Sequence, residues 1–207
     1  MKATLDGTDL ELTGVTLSAA LEAGAQHARD AGRIVIEVLV DGQPLEGEAL
    51  DAAGGQPMPD ATVEMTSADP AALVRVTLFD AADAMEDSRQ EHVACAEMIH
   101  RGDVAEAMAS LGQLMATWQA VREAVVQSGT ALGRPLASYS TQHSLEARTD
   151  ALAKQLETLR KAVADDDLSV AADVLEEDLS AEAGMWADAL RQIAEAMKLE
   201  ADGASGG

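Results

Sequence analysis

The stretch VAEAMASLGQLMATWQAVREAV, residues 104–125, decides how this chain is read. Alternating steps of three and four residues pick out Val104, Ala107, Leu111, Leu114, Trp118, Val121 and Val125, an apolar seam unbroken over three heptads. Such a seam predicts a long amphipathic helix packed against other helices. It is a packing signal and carries no chemistry of its own.

Working outward, Asp69-Pro70 supplies a cap and a first helical residue, and the pattern then runs without a breaker to His100. Its seam is Leu78, Ala81, Met85, Ser88, His92, Cys95 and Ile99, softer than the one that follows. Arg101-Gly102-Asp103 is a turn short enough to force the two helices antiparallel. Downstream, Ser144 caps a helix with Leu145, Thr149, Leu152, Leu156, Leu159 and Val163 on one face. Asp165-Asp166-Asp167 turns the chain into a last helix whose seam includes Leu175, Leu179, Glu182, Trp186, Leu190 and Ile193. The expectation is an antiparallel four-helix bundle over residues 69–201, with helices near 70–100, 103–127, 144–164 and 167–199 and a flexible tail at 202–207. The segment between the hairpins, residues 128–143, is long for a bundle connection, so both up-down-up-down and crossover paths are compatible with it.

Residues 1–68 read differently. Asp6-Gly7 punctuates two alternating runs, Ser18 is placed to cap a helix, and Gly32 to end it. Ile34, Val35, Ile36, Val38, Leu39 and Val40 form the most β-rich run and predict a central, largely buried strand, closed by Asp41-Gly42. A loop rich in Gly and Pro follows to Asp60, and a last strand carries Val63 and Met65 on one face.

The order hairpin, helix, strand, loop, strand resembles the β-grasp fold of ubiquitin-like and sulfur-carrier domains. The residues that carry the resemblance are Asp6-Gly7, Leu10-Glu11-Leu12, Thr16-Leu17-Ser18, the stretch Val40-Asp41-Gly42-Gln43-Pro44-Leu45, and Asp60 leading into Val63-Glu64. It covers residues 1–67 and implies an α+β chain, a β-grasp-like domain followed by the bundle. Those families present Gly-Gly directly after the last strand. Here Ser67-Ala68-Asp69-Pro70 leads into a helix instead, and Gly206-Gly207 stands beyond the helical region. A carrier or modifier role through Gly207 is thus a secondary expectation.

The totals bound the function. In 207 residues there are 37 acidic and 14 basic side chains, a net charge of -23, which disfavours nucleic acid and anionic membranes as partners and suits a basic protein. Aromatic residues are 2% of the chain, so the core must be filled by Leu, Val, Ala and Met. A single cysteine, Cys95, excludes an internal disulfide and fits a cytoplasmic, reducing setting. No run resembles a secretory signal or a membrane span.

Candidate sites are few. Glu97 and His100 form Glu-x-x-His, half of a di-iron bundle motif; no second copy accompanies it, so no metal or other cofactor is expected. Ser88, His92 and Cys95 share one seam at steps of four and three. A cysteine beside a histidine can make a nucleophile, but a seam lacks the oxyanion donors and cleft that catalysis requires. These three, with Arg134 and Tyr139 in the long connection, are read as partner-binding candidates. The functional expectation is a non-enzymatic interaction, adaptor or chaperone-like protein, resembling secretion and flagellar export chaperones in composition, with homodimerisation through the seams as a further option. A metal-binding bundle centred on Glu97 and His100 is the alternative.

Overall fold

The computed structural model describes residues 1–45, 57–139 and 145–204, the last four as helix backbone only. Its fold is mixed α+β, with a five-stranded sheet at the N-terminus and helices thereafter. Backbone contacts divide it into two compact units, Met1–Leu73 and Val74–Gly207.

In the first unit the strands are β1 (Lys2–Leu5), β2 (Thr8–Asp9), β3 (Ile34–Val40), β4 (Gln43–Pro44) and β5 (Thr62–Ala68), with helix α1 (Leu17–Asp30) between β2 and β3. The order across the sheet is β2-β1-β5-β3-β4. β1 and β5 run parallel, and the other neighbours antiparallel. Asp6-Gly7 and Asp41-Gly42 turn the two hairpins, all four residues having positive φ, as tight type I′ turns require. The core lies between α1 and one sheet face, built from Ala3, Leu5, Leu17, Ala20, Ala28, Val63 and Met65.

Three local expectations are corrected. Thr16, not Ser18, caps α1: its side chain accepts from the Ala19 N–H. The centre of the sheet is β5, where Val63 and Met65 are buried, whereas β3 is only partly buried. A bulge between Val35 and Glu37 leaves Ile36 as the extra residue and 51% exposed. The β-rich run, interrupted at Glu37, therefore reflects β propensity and not burial on both faces. The Gly- and Pro-rich loop falls largely outside the described residues.

Asp6 ties this unit together at one corner. Its carboxylate accepts from the Ser67 N–H at 2.8 Å and the Ser67 hydroxyl at 2.5 Å, and Arg33 donates to Ser67 Oγ at 2.7 Å and Ser67 O at 2.6 Å. These bonds hold the Asp6 carboxyl below its usual range, the Ser67 hydroxyl contributing most.

Helix α2 (Pro70–Arg101) and helix α3 (Val104–Leu132) are joined at Gly102, whose φ of 83° makes the turn. A 3₁₀ turn (Leu136–Tyr139) follows, then α4 (Leu145–Ala164), and α5 (Leu168–Asp173) continues through a π-helical turn (Val174–Leu179) into α6 (Ser180–Ala204). Backbone angles stay helical at Asp173, Val174 and Ser180, so these last three pieces form one unbroken rod. Side-chain pairs fix the directions. Cys95 meets Ala107 and His92 meets Trp118, so α2 and α3 are antiparallel. Asp83 meets Arg191 and His100 meets Glu176, so α2 also opposes the last rod, and Arg148 meeting Glu182 sets α4 against it in turn.

The seams at Leu78 through Ile99 and at Leu175 through Ile193 are buried throughout. In α3, Ala107, Leu114, Trp118 and Val121 are buried, and Val104, Leu111 and Val125 partly so. α3 outlasts its expected end at residue 127 and runs to Leu132. Gly133 then closes the helix in the left-handed conformation. The expected Ser144 cap and Gly206-Gly207 lie outside the described residues, while residues 202–204, expected as the start of a flexible tail, continue the last helix.

Gly24 of α1 gives a direct test of packing in the first unit. An added Cβ would sit 2.4 Å from Met65 Cε and 2.5 Å from Met65 Sδ, and Met65 is itself buried. Those atoms are the movable end of the Met65 side chain, so alanine is absorbed by a small shift; the larger Gly24→Leu is not, and we expect it to destabilise this unit by roughly 1–3 kcal/mol. Hydrogen exchange of the β5 amides measures it, and unchanged or slower exchange contradicts the packing described.

Candidate functional site

Of the residues singled out in the sequence, the three on the α2 seam are sealed. Ser88, His92 and Cys95 are all completely buried. His92 Nδ1 lies 2.6 Å from the Ser88 carbonyl and 3.3 Å from Ser88 Oγ, and its Nε2 lies 3.2 Å from Trp118 Nε1. An indole N–H only donates, so Nε2 must accept, which leaves the imidazole proton on Nδ1 donating to Ser88 O. Both ring nitrogens are satisfied only while the ring is neutral. Burial pushes the His92 pKa down, opposed by the bond to Ser88. The Cys95 thiol donates to Ala107 O at 3.4 Å, and burial raises its pKa. A neutral imidazole and a protonated, enclosed thiol make neither a nucleophile nor a surface for a partner in this conformation.

The polar layer continues past Trp118, whose ring meets Trp186 edge to face at a centroid distance of 5.9 Å. One turn before Trp186, Glu182 is 1% exposed and accepts from Arg148 Nη1 at 3.2 Å through one carboxylate oxygen. Its second oxygen and the Trp186 indole N–H have no well-formed hydrogen bond. Burial raises the Glu182 pKa, against the pull of Arg148 and the Trp186 indole. Its place on a seam was evident from sequence. Arg148, its partner, was not, because it flanks the α4 stripe between Leu145 and Leu152.

Arg134 and Tyr139 are brought together. The guanidinium lies 4.0 Å from the Tyr139 ring centroid, donates to its hydroxyl, and pairs with Glu200 at 2.5 Å. With Leu136 and Tyr139 buried, this clamp fixes the 3₁₀ turn on the helical unit. Glu97 and His100 are exposed and face different partners, Arg101 at 3.6 Å and Glu176 at 3.7 Å respectively. Among the described residues no three His, Cys, Asp or Glu side chains gather as a metal site would require.

In the helical unit the α3–α4 seam is open. One depression of about 440 Å³ is lined by Met115, Trp118, Arg122, Val126, Leu152 and Leu156 among others. A second, of about 430 Å³, adjoins it and is lined by residues including Val125, Gly129, Leu136, Leu145, Glu146 and Asp150. Val126 lines both and is 65% exposed. Among the described residues no helix is long and apolar enough to cross a membrane. The chain matches no protein-family model, and neither the curated proteins nor the solved structures gave a significant match.

Two pH effects follow from these interior groups. A histidine whose pKa is lowered on folding contributes stability that is complete above its ordinary value of 6.5 and is lost as pH falls through the folded value. Imidazole NMR should show His92 neutral and protonated on Nδ1 at pH 7.5; titration at or above 6.5 contradicts this. Glu182 has the opposite sign: its raised pKa gives a contribution complete below 4.5 and lost as pH rises through the folded value. Urea unfolding of wild type and Glu182→Gln from pH 4.5 to 8 should show the stability difference moving against wild type with rising pH and then levelling. A pH-independent difference would refute the assignment.

Proposed function

We propose that this chain is a non-enzymatic protein-interaction module of the adaptor or chaperone kind, acting in the cytoplasm. Its N-terminal domain, residues 1–68, is read as β-grasp-like, supported by the strand order and the two type I′ turns. Residues 69–201 are read as an antiparallel four-helix bundle, supported by the side-chain pairs between α2, α3, α4 and α6. The partner is a protein, taken in the α3–α4 trough.

One observation carries the reading: Val126 stands exposed where a depression of mixed lining meets a mainly apolar one, while Ser88, His92 and Cys95 are enclosed. A trough with apolar side chains beside polar ones, on a chain of charge -23, suits a protein surface better than a phosphate backbone or an anionic lipid.

A photo-crosslinking residue placed at Val126, with exposed Glu177 as the control position, tests the proposal in native extract. A protein adduct specific to Val126 is expected. Once purified, that partner should bind the Val126→Asp variant at least about tenfold more weakly, since a carboxylate buried under it costs more than about 1.4 kcal/mol. Equal adducts at both positions, or none at Val126, would remove the basis for the reading.

A further inference from the structure

The geometry points to a particular occupant of the α3–α4 trough: a basic amphipathic α-helix of about four turns, supplied by a partner protein. This inference rests on the reading of the trough as a protein-binding site and adds the chemistry of what it binds.

The first argument is shape. α3 and α4 are antiparallel, and the lining residues advance together in opposite directions, from Trp118 opposite Leu152 and Leu156 to Val125 opposite Leu145. The two depressions are therefore one trough. Along α3 it runs from Met115 to Gly129, about 21 Å at 1.5 Å per residue, the length of a helix of about 14 residues. A bound helix would set apolar side chains at i, i+3, i+4 and i+7 against Met115, Val126, Leu152 and Leu156.

The second argument is charge. The lining includes carboxylates from Glu123 of α3 and from Glu146 and Asp150 of α4, against the single guanidinium of Arg122. Glu146 and Asp150 stand four residues apart, on one face of α4, at the end of the trough where, among the described residues, no cation lines it. A helix with lysine or arginine flanking its apolar stripe meets this rim, and one with acidic flanks is repelled by it and by the whole chain.

Designed 14-residue peptides are the probe, and the full chain is the receptor. Three peptides share one amphipathic pattern: an apolar stripe with lysine flanks, the same stripe with glutamate flanks, and a lysine-bearing scramble that lacks the stripe. Fluorescence anisotropy at physiological salt should show binding of the first only. Val126→Asp makes the chain more acidic, so it would strengthen a merely electrostatic attachment. A trough seated on Val126 instead loses at least tenfold in affinity. Glu146→Lys with Asp150→Lys should also weaken the lysine peptide and spare folding, both positions being exposed.

The proposal is overturned if the scramble binds as well as the patterned peptide, or if Val126→Asp leaves binding unchanged or tighter. It is also overturned if light scattering shows wild type to be a dimer that Val126→Asp dissociates, since the occupant is then a second copy. Should no peptide bind while the Val126 crosslink still captures a partner sensitive to Val126→Asp, the basic helix is wrong and the interaction reading stands. Failure of both removes both.

Discussion

A buried imidazole with both nitrogens already occupied is the constraint on which the helical unit depends. His92 donates from Nδ1 to the Ser88 carbonyl and accepts at Nε2 from the Trp118 indole, so a ring on α2 fixes the rotamer of the largest side chain on α3. Trp118 in turn meets Trp186 edge to face and thereby sets the rotation of α6. Three helices are registered through three rings. In a chain where aromatic residues are 2% of the total, specificity that other cores distribute over many large side chains is concentrated here.

This accounts for how the polar positions of the α2 seam are used. Leucine at 92 would fill space, but it would leave the Trp118 N–H without an acceptor in a region closed to water. Glu182 and Arg148 work at the other side of Trp186, less completely, because one carboxylate oxygen is left without a good donor. The interior thus keeps a row of polar groups whose partners are one another. The chemistry that a histidine and a cysteine suggest in a sequence is consumed in holding helices.

Much of the architecture was legible because it follows from periodicity and turn chemistry. The apolar steps along residues 104–125, the Pro70 start, the Gly102 and Asp166 reversals and the two Asp-Gly turns are all local signals, and each lies where the chain turns or packs as read. What was not legible depended on the third dimension. Ile36 looks like a core residue until a bulge turns it outward. The end of α3 lies past Gly129, at Gly133, because a single glycine inside a helix does not stop it and the left-handed one does. The π turn at Val174–Leu179 has neither Gly nor Pro to announce it. The same limit applied to sites. Periodicity ranks how regularly a face is apolar, and α2 ranked as soft, yet its polar positions are the enclosed ones. The trough opens beside α3, the most regular helix, because Val126 lies just off its seam.

The sheet of the first unit ends on both sides in strands of only two residues, Thr8–Asp9 and Gln43–Pro44. One carries an acid and the other a proline, which has no N–H to offer a neighbour. Lateral growth of the sheet, strand by strand, is therefore closed off: a second molecule finds almost no free ladder to extend. Among the described residues, the edges of this sheet offer a second molecule little backbone, so association there falls to side chains.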